Sequence, residues 1–127
     1  MDYNDLLKKA KEVSKNAYAP FSNFFVGSCV LGASGETYVG CNFENASYGL
    51  SICAERNAIG SAIANGEKSI IAVAIYASTM EDALPCGACR QVMLEFQGDK
   101  EIEVITQVDN NYKVRKLNNL LPEGFKL

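Results

Sequence analysis

Two short stretches of the chain carry residue types that can hold a metal ion and move a proton beside it: Cys53-Ala54-Glu55 and Pro85-Cys86-Gly87-Ala88-Cys89. Zinc takes thiolate ligands in tetrahedral geometry, and a catalytic zinc site keeps one position open for water. Cys86 and Cys89 are spaced to share one face of a helix. Cys53, arriving from elsewhere, completes a set of three. Glu55 lies close enough to that ligand to pass a proton between the water and a substrate. Three thiolates around a dication leave the site with net negative charge, which weakens the metal's pull on its water. Arg56 is the nearest fixed cation in sequence, and helix N-termini would add partial positive charge.

The elements that must position these residues follow from hydrophobic spacing. Leu6, Ala10, Val13 and Ala17 open the chain as an amphipathic helix, capped by Asp2 or Asn4 and ended by Tyr18-Ala19-Pro20. Strands are expected over 24–32 and 36–41, with Ala33-Ser34-Gly35 as the turn. Phe21, Phe24 and Phe25 are three aromatics in five positions. They serve as core, or one of them stacks on a flat ring. Cys41-Asn42-Phe43-Glu44-Asn45 leaves the second strand with Asn42 and Glu44 on one side and Phe43 on the other. Such a pair of polar groups can hold sugar hydroxyls or form a solvated loop.

Ser51 is the expected N-cap of a helix whose stripe of Ile52, Ala58, Ile59, Ala62 and Ile63 runs to Asn65-Gly66. Cys53, Glu55 and Arg56 then fall near its start, where free N–H groups and positive potential favour a thiolate. The apolar run Ile-Ile-Ala-Val-Ala-Ile-Tyr-Ala from Ile70 reads as a central strand covered on both faces. After a loop over 78–84, Pro85 sits in the first turn of a helix with Cys89, Val92, Met93 and Phe96 inward, stopped by Gln97-Gly98. Strands over 102–108 and 112–117 flank Asp109-Asn110-Asn111, and a short turn over 117–121 follows. The order α-β-β-α-β-α-β-β contains a strand-helix-strand crossover. It implies an α/β fold, a three-layer α/β/α sandwich with a mixed five-stranded sheet, in one domain over 1–127.

Composition narrows the function. The 127 residues are 48% hydrophobic and 21% charged, ordinary for a globular chain. A net charge of −3 disfavours a nucleic-acid surface, which needs a basic patch. No apolar run approaches a membrane span, and the start Met1-Asp2-Tyr3-Asn4-Asp5 is unlike a signal peptide. With five cysteines and no export signal, reduced thiols in a cytoplasmic setting are expected. The chain has no histidine, which removes His-based triads and His-ligated metal sites.

Four motifs carry a resemblance: Tyr-Ala-Pro-Phe-Ser-Asn-Phe at 18–24, Gly-Cys-Asn-Phe-Glu-Asn-Ala-Ser-Tyr at 40–48, Cys-Ala-Glu-Arg at 53–56 and Pro-Cys-Gly-Ala-Cys-Arg-Gln at 85–91. In this order they resemble the small homotetrameric cytidine deaminases of the zinc-dependent cytidine/deoxycytidylate deaminase family. The general signature of zinc base deaminases is His-x-Glu followed by Pro-Cys-x-x-Cys, and Cys53 stands here in place of that histidine. The resemblance implies hydrolytic deamination of cytidine and 2′-deoxycytidine, within pyrimidine salvage. It implies one zinc per subunit on Cys53, Cys86 and Cys89, Glu55 as the catalytic proton shuttle, and Arg56 as the charge-balancing partner of the thiolates. Phe24 would pack against the pyrimidine, Asn42 and Glu44 would hold the ribose 3′ hydroxyl, and the backbone of Ala54 would meet the base edge. Neighbouring subunits would complete each pocket, giving Tyr48 and Phe125 a role across an interface. The loop over 79–84 departs from the Pro/Gly-rich versions seen in the family.

Three rival readings share parts of this pattern. A structural zinc site would close with a fourth protein ligand, and Cys29 or Cys41 would have to supply it. Both are more simply small core residues on strands. A redox protein would use Cys86-Gly87-Ala88-Cys89 but leaves Cys53-Ala54-Glu55 without a role. A deaminase of a nucleoside antibiotic such as blasticidin S, or of a base within nucleic acid, would keep the same zinc core. The acidic charge disfavours a polynucleotide, and the segment over 42–45 favours a free nucleoside with hydroxyls to grip.

Overall fold

In the computed structural model, which describes residues 2–127, the elements follow the expected order. They are α1 (Tyr3–Ser14), β1 (Val26–Gly32), β2 (Thr37–Cys41), a 3-10 turn (Tyr48–Leu50), α2 (Ala54–Ala64), β3 (Ile70–Ala77), α3 (Gly87–Glu95), β4 (Glu103–Val108), β5 (Asn111–Lys116) and α4 (Leu117–Leu120). The five strands form one sheet in the order β2-β1-β3-β4-β5. Only β3 and β4 run parallel, joined by the crossover through α3. The other neighbours are antiparallel, so the sheet is mixed as expected.

Strand alternation builds the three layers. On β3, Ala72 and Ala74 face one side, where they pack with Leu6, Leu7 and Ala10 of α1 and with Ile105 of β4. Val73 and Ile75 face the other, against Ala58, Ile59 and Ala62 of α2 and Met93 of α3. Because the side-chain period is two, a slip of one residue would exchange these faces. Fully buried side chains on both faces of β3 confirm the central strand that its unbroken apolar run suggests.

Two glycines set how closely the helices approach. A Cβ on Gly27 would lie 1.8 Å from the carbonyl oxygen of Ala10, and one on Gly40 would lie 2.4 Å from the backbone nitrogen of Ala58. The α1 backbone therefore rests directly on β1, and the α2 backbone on β2. The second contact fixes the height of α2, and so of the residues at its start, over the sheet.

Several boundaries differ from the sequence expectation. Asp2 caps α1 by accepting from Asn4 N at 3.0 Å, so Asn4 is inside the helix. β1 starts at Val26 rather than at 24, because the Asn42 side chain takes the Phe24 carbonyl and the Val26 N–H. Ser51 does not cap α2. Its hydroxyl accepts from Asn45 N at 3.1 Å, and Cys53 is the N-cap, its carbonyl accepting from Asn57 N at 3.1 Å. Pro85 precedes α3 instead of opening it, since Cys86 is the N-cap. Among the described residues no helix is long and apolar enough to cross a membrane.

Candidate active site

The two helices that hold the cysteine motifs begin at their ligands. Cys53 and Cys86 are both N-caps in extended conformation, so each leaves its helix start pointing outward from the first turn. Cys89 lies within the first turn of α3 and is fully buried. The crossover brings the two helix starts together. The three sulfurs lie within 4.8 Å of one another, and Cys53 Sγ is 3.7 Å from Cys86 Sγ. Tetrahedral zinc with bonds of about 2.3 Å needs sulfurs about 3.8 Å apart, so the donor set fits zinc. Cys29 and Cys41 lie apart on β1 and β2 and are not members of this cluster, which removes the closed four-cysteine site.

The electrostatics suit thiolate ligation. Sharing with Cys89, and then the donors Arg56 and Cys86, bring the Cys53 thiol down to about 5. Cys89 is correspondingly pushed up, first by its bond to Cys53 and then by burial. The cluster thus holds a shared proton that a bound cation would displace. Arg56 Nη2 donates to Cys53 Sγ at 3.4 Å, and its guanidinium is held above its ordinary range, chiefly by Cys53. Arg56 Nε is buried without a hydrogen-bond partner among the described residues. The half-buried guanidinium offsets the negative charge of the thiolate it faces.

Glu55 is only 5% exposed. Burial pushes its carboxyl up to about 7, and the negative Cys53 adds to the rise. Glu55, Cys53, Cys86 and Ala54 all line a cavity of about 490 Å³, within the range that holds a small ligand. Phe24, Asn42, Glu44 and Tyr48 line the same cavity. Of the expected site residues, Cys89 and Arg56 lie behind the cavity wall beside Cys53, and Phe125, expected to act across an interface, is 70% exposed and off the cavity; the others line it.

Asn42 and Glu44 reach the cavity already oriented. Asn42 Nδ2 donates to Phe24 O and its Oδ1 accepts from Val26 N, both at 2.8 Å. Glu44 accepts from Phe21 N at 3.0 Å, from Ser22 N at 3.2 Å and from the Ser22 hydroxyl. Those bonds hold its carboxyl below the usual carboxylate range, the Ser22 hydroxyl most of all. Segment 42–44 is itself clamped, with Phe43 bridging to both Tyr18 and Ile52.

Other lining residues carried no signal in the sequence. Met80, Ala83 and Leu84 come from the loop between β3 and α3, and Ser22 from the segment before β1. Ser22 lies inside a quoted motif, where its link to Glu44 could have been sought. The loop residues have neither periodicity nor a chemical type that marks them.

Comparison with known proteins agrees with this geometry. Residues 1–106 match the family model described as the cytidine and deoxycytidylate deaminase zinc-binding region. The chain is 38% identical to a cytidine deaminase of Sporosarcina psychrophila, covering 98% of this chain and 92% of the relative. It superposes on the crystal structure of a cytidine deaminase from Burkholderia pseudomallei with a TM-score of 0.90 and 42% identity, over 98% of this chain and all of the other. A cytidine deaminase from Mycobacterium tuberculosis gives a TM-score of 0.88 at 35% identity, over 100% of this chain and 99% of that one. Three thiols set for zinc with a buried carboxyl beside them, on a fold shared end to end with these enzymes, place the chain in the zinc-dependent cytidine and deoxycytidylate deaminase family.

Proposed function

We propose that this protein hydrolyses cytidine and 2′-deoxycytidine to uridine and 2′-deoxyuridine, releasing ammonia, as one domain over 1–127. The observation that carries this reading is the buried Glu55 carboxyl beside the three-cysteine cluster in a nucleoside-sized cavity. When bound by Cys53, Cys86 and Cys89, one zinc per chain supplies the Lewis acidity that makes water nucleophilic near neutral pH.

The chain's own residues do the rest. Glu55 accepts a proton from the attacking water and delivers it to N3 of the base, which draws electrons from C4 as oxygen adds there. A second proton passes through Glu55 to the amino group, which departs as ammonia. A buried carboxyl whose charged form burial disfavours is suited to taking and giving a proton in turn. Arg56 keeps the thiolate charge in check from behind Cys53. Phe24 packs on the ring, the Ala54 backbone meets the base edge, and Asn42 with Glu44 grips the ribose 3′ hydroxyl.

Exposed aromatics at the cavity rim support a wider assembly. Phe21 and Tyr48 pack edge to face with ring centres 5.9 Å apart and are largely exposed. In a homotetramer Tyr48 and a neighbour's Phe125 would close each pocket. A cytoplasmic salvage role for free nucleosides, without nucleic acid or membrane, suits the acidic surface.

The test measures zinc per chain on protein purified without added metal, and follows ultraviolet absorbance of cytidine and deoxycytidine on the same sample. About one zinc per chain with conversion to the uracil nucleosides is expected. One zinc with no turnover of either substrate would overturn the reading.

A further inference from the structure

One wall of the nucleoside cavity comes from an irregular segment. Met80, Ala83 and Leu84, from the loop between β3 and α3, line it. A second cavity of about 300 Å³ lies beside it, and Met80 and Ala83 line that one too. The loop is thus a partition between two voids, packed on the core through buried Ala83 alone of its wall residues. Packing alone does not fix where Met80 stands, and Met80 is itself largely exposed.

Polar bonds to the β4–β5 hairpin take that role. Arg115 grips Asp82 with a two-pronged fork, Nη1 to Oδ1 at 2.6 Å and Nη2 to Oδ2 at 2.7 Å. The hydroxyl of fully buried Thr106 donates to the same Oδ1 at 2.6 Å. Asp82 N donates to Gln107 O at 2.9 Å, and Glu81 accepts from Asp109 N at 3.1 Å. Arg115 holds the Asp82 carboxyl well below the usual carboxylate range, so the fork is charged at every physiological pH. The backbone of Asp82 is left-handed, with φ of 53°, a region that Asp and Asn enter more readily than most residues. Bidentate Arg–carboxylate pairs fix geometry as well as charge. Asp82 and Arg115 are both partly exposed, and such pairs contribute little to global stability. Positional control of the loop is the larger effect.

We propose that Asp82, clamped by Arg115 and Thr106, is a positioning residue that fixes the Met80–Leu84 wall and thereby sets which pyrimidine substituents the cavity accepts. The proposal rests on the nucleoside reading of the cavity. Asp82 does not line that cavity and acts through the residues that flank it.

The test uses the zinc-loaded full chain and four proteins: wild type, Asp82→Gly, Asp82→Asn and Arg115→Met. Glycine removes the clamp while keeping the left-handed backbone free of strain. Asparagine keeps the backbone and part of the hydrogen bonding. Steady-state kinetics are measured with cytidine and with 5-methylcytidine, alongside amide hydrogen exchange over 79–84. For Asp82→Gly, KM for cytidine is expected to rise about tenfold, kcat to stay within about twofold, and relative kcat/KM for 5-methylcytidine to rise severalfold. Asp82→Asn falls between that variant and wild type, and Arg115→Met moves the substrate ratio the same way with Asp82 intact. An unchanged substrate ratio, or a shift confined to Asp82→Gly, overturns the proposal. If wild type turns over neither substrate, the nucleoside reading fails instead. Exchange then judges the clamp alone: faster exchange in Asp82→Gly supports it, and unchanged exchange overturns it.

Discussion

Glu55 combines near-complete burial with a carboxyl that burial raises to about 7, the combination that the proposed proton transfers call for. Glu55→Gln keeps the shape of the side chain and removes the exchangeable proton. It should lower kcat by about 10²–10⁴-fold while zinc per chain stays at the wild-type level. Zinc lost in parallel with activity would instead assign Glu55 to holding the metal. The ligands and this acid were legible in the sequence because zinc chemistry demands particular residue types at short, fixed spacings. Met80 and Leu84 were not, because any of many side chains can form a wall. Their position comes from contacts such as Asp82 with Arg115, 33 residues apart in sequence, a separation across which no local pattern extends.

At the scale of elements, the site depends on where α2 and α3 begin. Sequence signals placed both starts slightly wrongly. Ser51 is a good capping residue by type, yet its hydroxyl is taken by Asn45, and the cysteines themselves occupy the cap positions. Capping preference is a local rule, and here the need to aim sulfur at a common point overrides it. Arg90 braces the second start. Its Nε donates to Pro85 O at 2.8 Å, and its Nη1 donates to Leu120 O at 2.7 Å, tying the turn before Cys86 to α4. The height of α2 depends on Gly40. Gly40→Ala forces a methyl against the Ala58 backbone, which cannot rotate away as a side chain tip could. A loss of about 1–3 kcal/mol in urea unfolding is expected, with weaker zinc retention because Cys53 shifts with its helix. Wild-type stability would mean that β2 bends instead. The mixed sheet with helices on both faces was readable from the element order and the crossover. Register was not, since it is set by which faces the helices finally cover.

For the molecule as a whole, stability depends on carboxylates that join separate elements. Glu67, just past α2, accepts from Ser34 N at 3.2 Å, from the Ser34 hydroxyl and from Tyr38 OH at 2.8 Å, so it ties the β1–β2 hairpin to the helix layer. The Ser34 hydroxyl, followed by Tyr38, lowers its carboxyl below the ordinary value. A folded value below the unfolded one means that the unfolded chain binds more protons in acid. The stabilisation is therefore present above the unfolded carboxyl value and is lost as pH falls through the folded one. The gap in urea midpoint between wild type and Glu67→Gln should hold steady above about pH 5 and narrow below about pH 4. Comparing the two proteins at each pH cancels the zinc that acid releases from both. A gap that stays constant down to about pH 3 would show that the bonds do not need the charge. Gly27 and Gly40 lie on adjacent strands, offset by one pair in the register, and they face opposite helices. At that corner the molecule is three backbones thick, with no side chain between them. Evolution therefore has no conservative exchange to try at either position, and a saturation library should return glycine alone at both. At Gly49, Gly60 and Gly87, where an added Cβ meets open space, the same library should come back diverse.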